Sequence, residues 1–405
     1  MPGADTESRD LMDQAQFVQL LTAAVQHGAS DIHLSPTAPP ALRIRGELVN
    51  VKTAPLTDAD LDLILKTMIS DPTVASEMTA LRDYDGSFEV KNLCRFRFNV
   101  YSHRGRKGAI LRVIPSQVPT IELLGLPPVL KHIAAMQRGL VLVTGATGSG
   151  KSSTLAAMVH YINANQPIHI LTVEDPIEFI HTPARARITQ REIGRDTTTF
   201  ATALRAALRQ DPDVILVGEM RDPETIDIAL KAAETGHLVL STVHTTDAVK
   251  TIGRLVAVFP PSEQHMVRLR LADNLIATIS QRLIQRKTGK GLVAAQEIMV
   301  VNSGISESIA NPLLAGQIND LIAKQHGSPG GGMTFEQHLV DLYRAGMVSL
   351  EAAKEASTNA SDFERNLRFG NNGGGGAAQD DSNLSMGADE RITLDRDATG
   401  IKKSA

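Results

Sequence analysis

A glycine-rich segment constrains this chain more than any other feature. Residues 145–152 read Gly-Ala-Thr-Gly-Ser-Gly-Lys-Ser, between an apolar stretch that predicts a buried strand and a stretch that predicts a helix. A strand, a glycine-rich loop and a helix in this order are typical of a phosphate-binding loop, because backbone N–H groups and the positive end of the helix dipole point at phosphate oxygens. The candidate nucleotide-binding residues are Gly145, Ala146, Thr147, Gly148, Ser149, Gly150, Lys151, Ser152 and Ser153.

Two side chains at the end of this loop carry its chemistry. The Lys151 ammonium can reach the β and γ phosphates of a nucleoside triphosphate, and the Ser152 hydroxyl is placed to join the coordination shell of a Mg²⁺ ion on the same phosphates. The loop therefore predicts a bound nucleotide with Mg²⁺, but it does not by itself predict a reaction.

Composition sets broad limits on the rest of the chain. Its 405 residues suggest two or three domains, and a net charge of −4 gives no overall argument for nucleic-acid binding, although local basic patches remain possible. A single cysteine, Cys94, excludes a disulfide framework and a cysteine zinc site, and we expect it to be a small buried residue. The start of the chain lacks the pattern of a signal peptide, and no apolar run approaches the ~18 residues that span a bilayer. We therefore expect a cytoplasmic protein that can still dock on a membrane complex.

The first part of the chain predicts a small α+β domain at residues 13–115. Start signals and apolar periodicity favour helices at 17–27 and 58–69. Alternating apolar and polar residues predict antiparallel strands at 31–34, 41–45, 48–51, 86–90, 94–101 and 109–114. We expect these strands to form a four- or five-stranded sheet.

The proline-rich residues 116–128 predict a linker, and the chain changes character after it. Within 129–369, predicted strands alternate with helical stretches, which is typical of an α/β domain with a mostly parallel sheet. The strands are expected at 140–144, 169–173, 214–217 and 238–242. Helical segments are expected to continue to about Leu367. Residues 1–12 and the polar, glycine-rich residues 370–405 are expected to be disordered.

An acidic residue follows one of these strands. Glu219 comes directly after the predicted buried strand at 214–217, at the edge of a parallel sheet where ligands bind. We therefore expect Glu219 to contact the Mg²⁺ ion. Asp222, before Pro223, is expected to cap the next helix.

A second acidic group follows the strand at 169–173. Pro176 favours an extended Asp175, so that Glu174 and Glu178 are expected on a turn and not on a helix. Hydrolysis of a nucleotide needs a group that orients or deprotonates water, and either glutamate is placed to serve.

Two histidines flank the strand predicted at 238–242. His237 precedes it and His244 follows it. A histidine after a strand can hydrogen-bond the γ-phosphate or the water. We predict that both complete the site, although they are not spaced as a helical metal pair.

Together these segments resemble the type II/IV secretion ATPases. The resemblance is carried by the phosphate loop, the acidic segment 173–179, the segment 216–222, and the histidine segments 235–239 and 241–245. Residues 28–34, 138–143 and 189–193 narrow it to the PilT/PilU branch, which retracts type IV pili in twitching motility.

The resemblance implies a cytoplasmic ATP-hydrolysing motor at the inner face of the bacterial inner membrane. It implies a homohexamer of chains with a PAS-like N-terminal domain and a RecA-like ATPase domain, on the platform protein of the pilus machine. The implied catalytic residues are Glu178, Glu219, as the Walker B glutamate, and the His-box residues His237 and His244.

The resemblance also implies that arginines of the N-terminal domain contact nucleotide. Arg97 and Arg112 align to such positions, and Arg104 and Arg106 compete for a third. A planar guanidinium suits this task because it can clamp a transferring phosphoryl group.

Two departures from the family patterns bear on the direction of action. Pilus assembly ATPases carry a tetracysteine zinc motif, which a chain with only Cys94 lacks, and this favours retraction. The retraction branch also has a characteristic helix after the core, where this chain reads Gly-Ile-Ser-Glu-Ser-Ile-Ala-Asn-Pro at 304–312, and Pro312 is expected to end that helix. Residues 332–338 and 362–369 are more similar to the PilU type, which suggests an accessory ATPase that depends on a paralogue.

Two other functions remain open at this stage. A non-hydrolysing scaffold gated by nucleotide would need the loop but not the carboxylates. A nucleic-acid translocase would need a basic channel or stacking aromatics, and aromatic residues make up only 3% of the chain.

Overall fold

Two β-sheets, each with its own hydrophobic core, organise the protein. The computed structural model describes residues 12–69, 74, 76–78, 80–91, 93–114 and 117–369. The disorder predicted for residues 1–12 and 370–405 falls outside these residues, apart from Met12. The strands of the first sheet come before the phosphate loop in the sequence, and the loop follows a strand of the second sheet.

The first sheet has six strands in the order β3-β2-β1-β6-β5-β4, and every neighbouring pair is antiparallel. Its strands are β1 (Ala29–Leu34), β2 (Ala41–Ile44), β3 (Glu47–Asn50), β4 (Asp83–Val90), β5 (Cys94–His103) and β6 (Arg106–Ile114). The prediction of four or five strands was wrong because β1 pairs with β2 on one side and with β6 on the other, which joins both groups of strands in one sheet.

Local signals account for the helices and the tight turn of this α+β domain. Helix α1 (Gln14–Gln26) and helix α2 (Asp58–Met68) both begin at a capping box, with Asp13 and Thr57 as the capping residues. Arg45 and Gly46 both have positive φ, 53° and 90°, which suits the right-handed twist of a two-residue hairpin between β2 and β3. Cys94 is buried, as expected.

The second sheet has seven strands in the order β13-β12-β7-β11-β10-β8-β9, all parallel except the edge pair of β12 and β13. They are β7 (Gly139–Thr144), β8 (His169–Glu174), β9 (Arg187–Glu192), β10 (Val214–Val217), β11 (Leu238–Val243), β12 (Leu275–Gln285) and β13 (Leu292–Val300). The four predicted strands are present. Strands β9, β12 and β13 were not predicted, although helical segments do continue to the end of the described residues, as expected.

Buried polar side chains explain why the last two strands were missed. Ser280 and Gln281 on β12, and Gln296 and Glu297 on β13, are all less than a tenth exposed. These strands therefore lack the apolar run by which a buried strand is recognised.

Helices cover both faces of the second sheet in a RecA-like α/β domain. They are α3 (Val129–Ala134), α4 (Lys151–Asn165), α5 (Phe200–Ala207), α6 (Pro223–Glu234), α7 (Ala248–Ala257), α8 (Pro261–Asn274), α9 (Ser303–Ala310), α10 (Ile318–Ala323), α11 (Phe335–Arg344), α12 (Leu350–Ala356) and α13 (Ala360–Phe369). A 3₁₀ helix, Pro312–Gln317, follows α9, so the helix ends before Pro312 as expected. Within the described ranges, no helix is long and apolar enough to cross a membrane.

In its described part, the linker expected at 116–128 packs against the second sheet and its helices. Ile121 and Leu126 are buried in the core beneath the second sheet, against α3 and α4. These two residues therefore anchor the segment to the α/β domain.

Candidate functional site

The phosphate loop lies between β7 and α4, as predicted, and its glycines are required by its shape. Gly145, Gly148 and Gly150 have φ of 144°, 79° and 86°, a region that side-chain-bearing residues rarely adopt. A Cβ on Gly145 would lie 2.4 Å from the Ser149 Oγ and 2.5 Å from the carbonyl oxygen of Gln281. Helix α4 begins at Lys151, so its N-terminal N–H groups face into the loop.

Lys151 is held at the mouth of this loop. Its Nζ donates to the carbonyl oxygens of Gly145 and Ala146, at 3.0 Å each. Burial lowers the pKa of Lys151, while the nearby charges of Glu178 and Glu219 oppose that change. The loop therefore brings the ammonium within electrostatic reach of both predicted catalytic carboxylates.

Glu219 and His244 face the loop across a cavity of about 330 Å³, which Thr147 also lines. One carboxylate oxygen of Glu219 lies 2.7 Å from the Nε of Arg221, and the other lies 3.8 Å from the Nε2 of His244. Burial and the charge of Lys151 lower the pKa of His244, although Glu219 opposes them. The neutral imidazole is thus the favoured form near pH 7, and it can exchange hydrogen bonds with a phosphate or a water.

Glu174, the last residue of β8, and Glu178, which follows the strand, have different surroundings. The carboxylate of Glu174 accepts hydrogen bonds from the Thr172 hydroxyl at 2.7 Å, the Gln190 amide at 3.3 Å and the backbone N–H of Glu178. Burial raises the pKa of Glu174, whereas the side chain of Glu178 is exposed. This geometry favours Glu178 as the group that meets water and gives Glu174 a supporting position behind it.

His237 does not join this constellation, contrary to the prediction. It precedes β11 and His244 follows it, so the six-residue strand separates them by about 20 Å, at ~3.3 Å per residue. The Nδ1 of His237 instead lies 2.9 Å from the carbonyl oxygen of Ala232, at the end of α6. The sequence pattern placed the two histidines together because both flank one strand, but a strand carries its two ends to opposite edges of the sheet.

Arg97 and Arg112 lie directly opposite each other on β5 and β6. Both side chains are exposed, and the Nε of Arg112 donates to Asp31 at 2.9 Å. Arg112 also pairs in register with Asp31 on β1, so the three residues form a row across the sheet. Like charges directly opposite each other on neighbouring strands are unfavourable; Asp31 offsets the charge of Arg112, and a second anion would offset that of Arg97.

The oxygen groups near the loop fit a Mg²⁺ ion that is shared with a nucleotide. Ser152 and Glu219 supply one hydroxyl and one carboxylate, and Mg²⁺ is commonly bound by one or two carboxylates together with substrate phosphates. Across the residues that the structure describes, no group of three or more His, Cys, Asp or Glu side chains is arranged to hold a metal ion by itself. Phosphate oxygens and water would therefore have to complete the coordination.

Comparison with known proteins identifies the family. The profile of the Type II/IV secretion system protein family matches residues 8–321. The chain belongs to this family. It is 45% identical to the type IV pilus retraction ATPase PilT of Pseudomonas aeruginosa, over 86% of this chain and 99% of that one. It is 35% identical to the type IV pilus ATPase PilU of the same organism, over 94% of this chain and 98% of that one.

A solved structure agrees with this assignment. A crystal structure of the pilus retraction motor PilT with bound ADP superposes with a TM-score of 0.79 and 42% identity, covering 86% of this chain and 98% of the other. The fold predicted from the family resemblance, a RecA-like domain after a PAS-like α+β domain, is confirmed.

Several residues beside the nucleotide site of this family member were not singled out from the sequence. Gln281 on β12 donates from its Nε2 to the Ser149 carbonyl oxygen at 2.5 Å, and its Oε1 accepts from Thr154 at 2.9 Å. Gln190 and Glu192 on β9 contact the loop that carries Glu178. The segment 189–193 carries part of the family resemblance, but no local signal in the sequence assigns its side chains a partner.

Proposed function

We propose that this chain is a motor ATPase that hydrolyses ATP to drive type IV pilus retraction. The observation that carries the proposal is the meeting of Lys151, Glu219 and His244 at the carboxyl ends of parallel strands, with Glu178 in electrostatic reach. Support for the pilus comes from the similarity to PilT, which extends over nearly the whole of that relative. The PilT structure with ADP supports the nature of the nucleotide.

Each residue has a distinct task in this proposal. Lys151 and the N–H groups of the loop bind the β and γ phosphates, and Ser152 and Glu219 hold Mg²⁺. A Mg²⁺ ion held there would neutralise charge that develops on the phosphate oxygens. Glu178 orients the attacking water and accepts its proton, and the neutral His244 hydrogen-bonds near the γ-phosphate.

The assembly belongs to the same proposal. The motor is a homohexamer at the cytoplasmic face of the inner membrane, docked on the platform protein of the pilus machine. In the ring, Arg97 and Arg112 supply guanidinium groups to a nucleotide, which explains two like charges in register on an exposed sheet face.

A second candidate function is that of a PilU-like accessory ATPase, which acts only with a paralogue. The specific observation is the segment after α9, where Pro312 opens a 3₁₀ helix and the side chain of Leu313 is 89% exposed. The greater extent of the PilU match, 94% of this chain, also includes the last helices.

Imaging of labelled pili in the host tests both versions. In a strain from which the gene is deleted, retraction is expected to stop and surface pili to accumulate. The wild-type gene, but not the Glu178→Gln variant, is expected to restore retraction. Restoration in a strain that lacks every paralogue identifies an independent motor, whereas restoration only with a paralogue identifies the accessory type. Loss of pilus assembly in the deletion strain would contradict the proposal.

A further inference from the structure

A buried ion pair joins the first sheet to the second beside the acidic loop of the nucleotide site. The Nη2 of Arg95, on β5, lies 2.7 Å from the Oε2 of Glu192, at the end of β9, and both side chains are only 8% exposed. The Ser87 hydroxyl on β4 donates to the Oε1 of Glu192 at 2.8 Å and accepts from Arg95 at 2.6 Å. Both glutamate oxygens are thus engaged by the first sheet.

The same glutamate also holds the backbone of the loop that carries Glu178. The backbone N–H of Ile177 donates to the Oε2 of Glu192 at 3.1 Å. Glu174 accepts from the next N–H, that of Glu178 itself. Two consecutive N–H groups of this turn therefore end on carboxylates of two neighbouring parallel strands, since Glu174 and Glu192 are partners in register.

A second β9 residue fixes the far side of this loop. The Nε2 of Gln190 donates to the Phe179 carbonyl oxygen at 2.9 Å, and its Oε1 accepts from the His181 N–H at 2.9 Å. The backbone around Glu178 is therefore held on both sides, while its side chain stays exposed. A catalytic carboxylate on a fixed backbone loses little freedom when it meets the attacking water.

The hydrogen bond between Glu192 and this turn depends on the first sheet, because that sheet supplies the partner for the buried charge of Glu192. A carboxylate withdrawn from water is stable only with a partner of opposite charge, and Arg95 supplies that charge from the other sheet. If the first sheet moves away, the ionised Glu192 loses the charge that stabilises it, and its hydrogen bond with the Ile177 N–H is no longer held in place. A cleft of about 520 Å³, lined by Ser87, Gly194 and Glu192, already separates the sheets beside the contact.

We propose that Glu192 is a positioning residue for ATP hydrolysis, and that Arg95 makes its action depend on the placement of the first sheet against the second. In this proposal Glu192 acts through another residue: it sets the position of Glu178 through the Ile177 N–H. The inference rests on the proposed function, since it assigns a control to the same hydrolytic site.

The test separates nucleotide binding from turnover in the full-length protein. Phosphate release gives kcat, and a fluorescent ADP analogue gives nucleotide affinity. Glu192→Gln and Arg95→Met are expected to lower kcat about ten- to hundredfold, the effect of a misplaced catalytic group, while affinity stays within threefold. Arg95→Lys, which keeps the charge, is expected to recover most of the turnover. Arg365→Met, which breaks an exposed ion pair with Asp362 within α13, serves as the matched control and should leave kcat unchanged.

Each outcome decides the inference. A kcat within twofold of wild type in both Glu192→Gln and Arg95→Met overturns it, as does an equal loss of kcat and affinity that Arg95→Lys does not recover. If these variants do not fold, Ser87→Ala decides: a threefold lower kcat with unchanged affinity supports the inference, and an unchanged kcat overturns it. Wild-type protein as inactive as Glu178→Gln would instead contradict the proposed function.

Discussion

Glu297 offers a sharp test of the electrostatics of the ATPase domain. It lies on β13, 94% buried in the wall of a cavity of about 540 Å³, and its Oε1 accepts from the Ala248 N–H at 2.8 Å, where α7 begins after the His244 loop. Burial, together with the charges of Asp247 and Glu336, raises the pKa of Glu297 from 4.5 to about 7.

The size and sign of the effect follow from this pKa. At about 1.4 kcal/mol for each pH unit, the ionised Glu297 destabilises the folded state by about 3 kcal/mol above pH 7. Between pH 4.5 and 7 the folded protein holds a proton that the unfolded chain has released, so stability falls as pH rises through this window. Below pH 4.5 both states are protonated, and the penalty vanishes.

Glu297→Gln is therefore expected to stabilise the protein in a pH-dependent way. The amide keeps the shape and the acceptor for the Ala248 N–H but carries no charge. Relative to wild type, the melting temperature should rise by about 6–12 °C at pH 8.5, from about 3 kcal/mol in a domain of this size, and by little at pH 5. Circular dichroism is the suitable signal because the chain has no tryptophan.

An exposed glutamate provides the control for this comparison. Glu307→Gln, on α9, removes one charge without relieving burial, and its melting temperature should follow wild type at both pH values. A Glu297→Gln protein that melts no higher than wild type at pH 8.5, or that gains equally at pH 5, would refute the reasoning.

Three further predictions concern the nucleotide site. Gly145→Ala should weaken nucleotide binding at least a hundredfold by calorimetric titration, because its Cβ would lie 2.4 Å from the Ser149 Oγ; binding within threefold of wild type would contradict the loop geometry. In phosphate-release assays, His244→Asn should lower kcat at least tenfold, whereas His237→Asn should keep kcat within twofold. In thermal unfolding, His237→Asn should lose about 1 kcal/mol of stability, because it loses the hydrogen bond to Ala232. A larger loss of kcat in His237→Asn than in His244→Asn would restore His237 to the site. Arg97→Ala should lower kcat without lowering the melting temperature, because its side chain is exposed; a large loss of stability would make it a structural residue instead.

The sequence predicted the parts of the site that local patterns encode. The phosphate loop needs closely spaced glycines, Lys151 and the start of a helix, and all of these lie within one short stretch of sequence. The placement of Glu219 followed from one rule, that residues directly after buried parallel strands meet at one edge of the sheet. The same rule, applied with the chain direction, would have excluded His237, which precedes its strand.

The remaining structure depends on contacts that no local pattern records. Arg95 and Glu192 lie 97 positions apart in the sequence, and only the packing of two sheets reveals their ion pair. Strands β12 and β13 were hidden because they bury Gln281, Gln296 and Glu297, which satisfy one another or a neighbouring helix instead of facing solvent. From the sequence alone, polar residues of this kind are expected at the surface, because the partners that allow their burial are not apparent.

The hydrolytic role of the site is tested most directly by phosphate release from the purified full-length protein with ATP and Mg²⁺. Wild-type protein is expected to turn over ATP, and Glu178→Gln and Glu219→Gln are each expected to reduce kcat at least a hundredfold while a fluorescent ADP analogue still binds. Equal turnover in the wild type and both variants, or equal inactivity in all three, would contradict the assignment of these carboxylates to ATP hydrolysis.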